Sequence, residues 1–500
     1  MALNSTLVRV RRSVLAVLFG AAACFGVVAI TEPPGPGLDP DSMSYLGAAE
    51  SLVRHGSLRV PMASWSDADS TSALHHFPPG YPIVLAIPIV LGADPQQAAR
   101  GVEAASAFAT VALAVWIVAA VAGLGAGALA GVTLLATPAL ALDHVRVLSE
   151  PLCFALLAAT LALMVLSKRP FLYGITAAAA GLVRYAAVPA GGAAVLWAFG
   201  RHGSMRDRLG RAALAALPSV LLSGALMLRS LLMESGATHS IALHGGLGPA
   251  LRELGLTLVA WLVPLAPARL PAALLAIVIA GAVVAVLLNA ASKRTERPEA
   301  ASASRPLLAA AALLAACYTA FVLVSRLFVY DSIPLDDRML SPAILLAIIA
   351  VAAALGARWR TWSRPLRLAA ATAVALWLAA SAWATVRAVA EARDGGWGYA
   401  SDEWRDSKLG EWLRTEGRRA EIFSNDPAGV YFLTHRPSRD LPAVLDPESL
   451  GDFAGTLAGR RAVVVGFANE YEPTASLDSI ARRLGLRVAA EFPEGRVWRK

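Results

Sequence analysis

The feature that most restricts this chain is the length of its apolar runs. Repeatedly they approach or reach the roughly 18–20 residues that cross a hydrocarbon core, with basic residues gathered between them. In lipid every backbone N–H and C=O must be satisfied within the segment, so runs of this length must be helices. Composition agrees. Of the 500 residues, 57% are hydrophobic and 16% charged, against about 25% charged in an ordinary soluble domain. The sequence predicts an all-α polytopic membrane protein. A formal net charge of +8 resembles that of a nucleic-acid binder. The arginines, however, cluster in short connections between apolar runs, as positive-inside topology requires, and no nucleic-acid partner is expected. The Ala- and Arg-rich usage suggests a bacterial plasma-membrane protein.

With Arg and Lys as cytoplasmic markers, about eleven spans follow: 13–30, 102–122, 126–142, 150–167, two short helices within 171–199, then 212–231, 270–289, 307–329, 339–357 and 366–389. The stretch 171–199 is too long for one untilted helix and holds Arg184 near its middle, so two helices meeting near Arg184 are expected. Residues 31–99 form a large first external loop. Residues 232–268 form another, whose "LTLVAWLVPLAP" is expected to lie in the interface. The N-terminus is placed in the cytoplasm, and residues 1–30 are read as an uncleaved first helix rather than a cleaved signal peptide. Cys24, Cys153 and Cys317 sit in apolar runs as buried thiols, with no Cys/His spacing that suggests zinc.

After Arg393 the composition changes. "RDGGWGYASDEW" reads as a Gly-rich linker, and short β-rich runs ("AEIFSN", "RAVVVGF") then alternate with helical patterns. This predicts two domains: residues 1–393 in the membrane, carrying the loop 31–99, and a small extracytoplasmic α/β domain at 394–500. The latter has no GxGxxG or GKS loop, which disfavours nucleotide binding.

The charged residues at span ends are the functional candidates, because burying charge near lipid is costly. In "GLDPDSMSYLGAAESLVRHG" (37–56), Asp39 followed by Pro40 reads as an N-cap with Pro at N1, which leaves Asp41 without a capping duty. Asp41 and Tyr45 are four apart and share a helix face. Arg146 and Glu150 are likewise four apart in "HVRVLSE". His75 and His76 lie in the same first loop, Arg184 interrupts an apolar stretch, and "IPLDDRMLSP" places Asp336, Asp337 and Arg338 at another span end. "SND" at 424–426 reads as a strand-end turn.

Asp41-Ser-Met-Ser-Tyr45, with Phe77-Pro-Pro-Gly-Tyr-Pro82 downstream, resembles the first external loop of GT-C-fold glycosyltransferases, above all the protein O-mannosyltransferases and lipid A aminoarabinose transferases. Arg146-Val-Leu-Ser-Glu150 is similar to the mannosyltransferase pattern of an Arg four residues before a second-loop acid. "GITAAAAGLVRY" resembles that family's helix pair with a basic residue at the outer turn. Ser42 departs from the pattern, standing where many relatives have Glu.

The resemblance implies transfer of a hexosyl or pentosyl group from a polyprenyl-phosphate donor to an extracytoplasmic glycan, lipid or protein. It implies Asp41 and Glu150 as catalytic carboxylates, Asp41 as the general base and Glu150 as a second base, a metal ligand or an orienting partner for Arg146. It further implies Tyr45, His75, His76, Arg146, Arg184, Asp337 and Arg338 as substrate-binding residues. It leaves a divalent cation (Mg or Mn) open as a cofactor. Two other classes stay alive: a transporter or flippase of lipid-linked glycan, and a non-catalytic cell-envelope assembly protein. A transporter places its polar groups near the bilayer midplane, whereas the charges here fall near span ends.

Overall fold

The computed structural model describes residues 2–232, 243, 246–264, 298–330, 333–442, 447–468 and 474–500. It divides into two compact units: 1–30 with 100–391, and 31–99 with 392–500. The expected span 270–289 lies outside the described residues.

The first unit is helical. Among the described residues six helices are long and apolar enough to cross a membrane, and a seventh span is counted if one bent pair is taken as one. The six include Ala2–Ile30, Pro95–Ala122, Met205–Leu232, Pro298–Phe328, Asp337–Arg358 and Arg364–Asp394. The bent pair is Leu124–Leu135 and Pro138–His144, which meet at 66°. Pro138 explains the bend, since its ring cannot follow a helical residue without a clash; Thr137 back-bonds to the Thr133 carbonyl at 2.7 Å. The remaining expected spans appear as shorter apolar helices, Glu150–Leu166, Pro170–Val183 and Pro189–Gly200.

The break expected near Arg184 is present. Arg184 takes an extended conformation (φ −148°), residues Tyr185–Ala187 make one 3-10 turn, and Pro189 opens the next helix. Small residues bring these helices close. A Cβ on Gly174 would lie 2.4 Å from the Ala215 carbonyl, and one on Gly131 would lie 2.5 Å from the Phe19 ring.

The "LTLVAWLVPLAP" stretch, expected in the interface, is described as far as residue 264. There it forms the end of helix Leu247–Leu262, which buries Ala250, Thr257 and Val259. That helix is tied down by Glu253, which accepts the Leu335 N–H at 2.7 Å and pairs with Arg326 at 2.7 Å.

The second unit holds a six-stranded sheet in the order Met62–Ala63, Ser438–Arg439, Glu421–Ser424, Ala462–Phe467, Gly495–Arg499, Arg487–Phe492. The first four strands run parallel and the last two pair antiparallel. Both faces are covered. Ile422, Val463, Val465 and Val497 face one apolar cluster, and Phe423, Val464 and Trp498 face another, as a parallel sheet layered between helices demands.

The boundary expected at Arg393 falls next to the division between units. The grouping differs, because 31–99 belongs with 392–500 rather than with the spans. Met62–Ala63 supplies an edge strand. Arg439, 2% exposed, gives its guanidinium to Glu421 at 2.7 Å and to the carbonyls of Asp67 and Ala68. Asp440 accepts the Trp65 N–H at 2.7 Å, and burial raises its carboxyl above the ordinary value.

Candidate functional site

The sequence-predicted residues fall into two groups, one in each unit. In the second unit the helix Pro40–His55 carries Asp41. Asp39 is its N-cap in extended backbone, and Pro40 is at N1. The Ser42 hydroxyl accepts the Asp39 backbone N–H at 2.9 Å and closes a capping box. This gives the departure at Ser42 a local role, since a hydroxyl serves where a longer carboxylate usually does. Gly56, at φ +66°, ends the helix in the left-handed region that favours glycine.

Asp41 stands in the first turn, partly exposed. Tyr45 does not stand beside it as a surface residue. It is 1% exposed, with Phe77 at 4.8 Å and Tyr81 edge-on at 5.0 Å between ring centroids. These ring contacts seat the helix on residues 77–81. His75 and His76 are exposed; His75 Nδ1 is within 2.8 Å of the Ala73 carbonyl, and the His76 ring meets Phe77 edge-on.

In the first unit the charges gather around Glu150. This residue opens the helix Glu150–Leu166 and is fully buried. Arg184 Nη1 lies 2.8 Å from its Oε1, Arg338 Nε lies 2.5 Å from the same oxygen, and the Ser149 hydroxyl donates to Oε2 at 3.2 Å. Three breaks in helical structure bring these groups together: the loop before residue 150, the interruption at residue 184, and the start of Asp337–Arg358. Glu150 and Arg338 stand in the first turns of their helices and Arg184 in the extended break between two.

Tyr318 and Met339 extend the cluster. The Tyr318 hydroxyl donates to the Met339 carbonyl at 2.7 Å, and Arg184 Nη2 lies 3.1 Å from Met339 Sδ. Sequence reasoning did not single out these two residues, because neither carries a charge or a spacing signal.

Although Arg146 stands four residues before Glu150, its Nη2 pairs with Asp143 Oδ1 at 3.1 Å. The two residues are three apart in the chain, Asp143 in the last turn of the helix Pro138–His144 and Arg146 just past its end. Asp337 accepts from Trp261 Nε1 at 2.7 Å, and Asp336 caps its helix by accepting the Met339 N–H at 2.8 Å.

The arrangement suits an anion. A guanidinium offers five N–H donors in a planar fork, and the fork geometry matches phosphate oxygens. Glu150 fixes both arginines in place. With one of its oxygens between two guanidiniums and the other on Ser149, it acts here as an anchor for cations. Among the described residues no group of three or more His, Cys, Asp or Glu side chains is placed to hold a metal ion.

No protein-family model matches the chain, and neither does any curated protein sequence. Solved structures do. The chain is similar to ArnT from Cupriavidus metallidurans, crystallised with undecaprenyl phosphate, at 14% identity and a TM-score of 0.61, over 96% of this chain and 97% of that one. It is similar to the arabinofuranosyltransferase AftD from Mycobacteria at 16% identity and a TM-score of 0.56, over 98% of this chain and 41% of that one. It is also similar to the oligosaccharyltransferase of Archaeoglobus fulgidus at 12% identity and a TM-score of 0.52, over 92% of this chain and 69% of that one. These structures share one architecture, the GT-C fold, and the present chain has it across nearly its whole length.

Proposed function

We propose, from the GT-C fold of this multi-pass membrane protein, that it transfers a sugar from a polyprenyl-phosphate donor to an acceptor on the outer face of a bacterial plasma membrane. The observation that carries the reading is the convergence of Arg184 and Arg338 on one fully buried carboxylate, Glu150. Ordering two cations in an apolar helical unit is expensive, and such an investment marks a functional site. The ArnT structure with undecaprenyl phosphate supports a lipid phosphate as the anion.

In the reaction Asp41 accepts the proton of the acceptor hydroxyl. The acceptor oxygen bonds to the anomeric carbon while the bond from that carbon to the phosphate oxygen breaks. The electron pair leaves with the polyprenyl phosphate, and Arg184 and Arg338 stabilise the developing charge. Direct displacement inverts the anomeric centre. Tyr45, His75, His76, Arg146 and Asp337 are proposed as substrate contacts.

The test is to incubate the purified protein with a panel of polyprenyl-phosphate sugars and to measure release of the lipid phosphate. Turnover with one donor is expected, together with weaker donor binding in Arg184→Ala. A protein that binds no lipid phosphate and turns over no donor would remove the reading.

A further inference from the structure

We infer that residues 397–399 and Tyr431 form a two-point clamp on the helix Pro40–His55, so that the C-terminal segment is the positioning device for Asp41. The inference deepens the proposed function and rests on the reading of Asp41 as the proton acceptor.

The first point of the clamp lies just before the N-cap. The Leu38 N–H donates to the Trp397 carbonyl at 3.1 Å, and the Tyr399 N–H donates to the Leu38 carbonyl at 2.9 Å, making a parallel bridge between Leu38 and Gly398. Only glycine suits the centre of that bridge. Gly398 has φ +58°, and a Cβ there would lie 2.1 Å from the Leu38 carbonyl oxygen and 3.5 Å from Asp39 Oδ1. The Gly-rich stretch therefore docks by its backbone, which a flexible linker does not do.

The second point lies about three turns further along the helix. There the Tyr431 hydroxyl donates to Glu50 Oε2 at 2.9 Å, and the Tyr431 ring stands against Gly47. Burial and the neighbouring Glu50 raise the Tyr431 hydroxyl above its ordinary value, so it stays a donor.

The two points are joined. Tyr399, 5% exposed, donates from its hydroxyl to Asp426 Oδ1 at 2.7 Å. The same oxygen accepts the Gly429 N–H at 2.9 Å and caps the helix Pro427–Thr434, which carries Tyr431. A closed circuit thus runs from Leu38 through Tyr399, Asp426 and Tyr431 to Glu50 and back along the helix. A general base must hold its geometry closely, because a shift of about 1 Å costs on the order of a hundredfold in rate. The circuit adds that constraint at both ends of a helix whose middle is seated by Tyr45 on Phe77 and Tyr81.

The test uses the full-length protein in detergent, with Tyr431→Phe as the mild variant and Gly398→Ala as the severe one. Amide exchange within 43–55 is expected to speed up in both, by roughly tenfold for the loss of one hydrogen bond to a charged group. With the donor that the wild type turns over, kcat should fall while the donor KM holds. Tyr431→Phe should cause no further loss in an Asp41→Asn background. Unchanged exchange in Tyr431→Phe, or an equal loss in that background, would overturn the clamp. Faster exchange in the variants of a protein whose wild type turns over no donor would sink the transferase reading and leave the clamp standing.

Discussion

Asp39, Asp41 and Ser42 sit within one helical turn and are separable by substitution. Asp39→Asn should be nearly neutral because Asn caps about as well, while Asp39→Ala should cost about 1 kcal/mol in thermal unfolding. Asp41→Asn keeps the shape and removes the proton acceptor, so transfer should fall by about 10²- to 10⁴-fold with little change in melting. Full activity in Asp41→Asn would end its assignment as the base. At the buried cluster, Glu150→Gln leaves two guanidiniums facing each other without their shared anion. A loss of about 3–5 kcal/mol is expected, read as a lowered midpoint in detergent. Arg184→Lys should restore donor binding only in part after Arg184→Ala, because a point charge does not reproduce a fork. Among these residues the sequence disclosed those whose charge stands out against apolar neighbours. It did not disclose which charges meet. Arg146 and Glu150 share a spacing of four, yet the break before residue 150 sends Arg146 to Asp143 and leaves Glu150 to arginines far along the chain.

Helices and strands differ in how far they can be anticipated, and the cause is range. An apolar run carries its whole instruction locally, and so does Pro189 beyond the break at Arg184. The strand Met62–Ala63 carries none. It is two residues long, without alternation, and exists only because Ser438–Arg439 offers an edge. The stretch "GGWG" misled for a related reason, since glycine serves both a flexible connection and a close backbone approach. Close approach is also testable in the helical unit. Gly131 faces the Phe19 ring so tightly that Gly131→Val must displace it. A loss of about 1–3 kcal/mol is expected from overpacking, measured by thermal melting in detergent. An unchanged midpoint would mean that these helices are not packed at this contact.

At the scale of the whole molecule, orientation is the first matter to check. A reporter fused after Arg393 should be active only outside the cytoplasm, and one fused at Gly203 only inside; the reverse at either site would overturn the arginine-based topology. The second unit has a further consequence, which concerns time. Residues 31–99 leave the ribosome early, whereas Ser438–Arg439, which completes their sheet, is made only after all of the described helical unit. During synthesis the early segment therefore waits with its edge unpaired and the carbonyls of Asp67 and Ala68 lacking their arginine. A polypeptide stopped short of residue 438 would contain every charged residue of the helical cluster and still be an unfinished protein. Completion of the chain is thus written into its architecture as a condition for assembling the early loop.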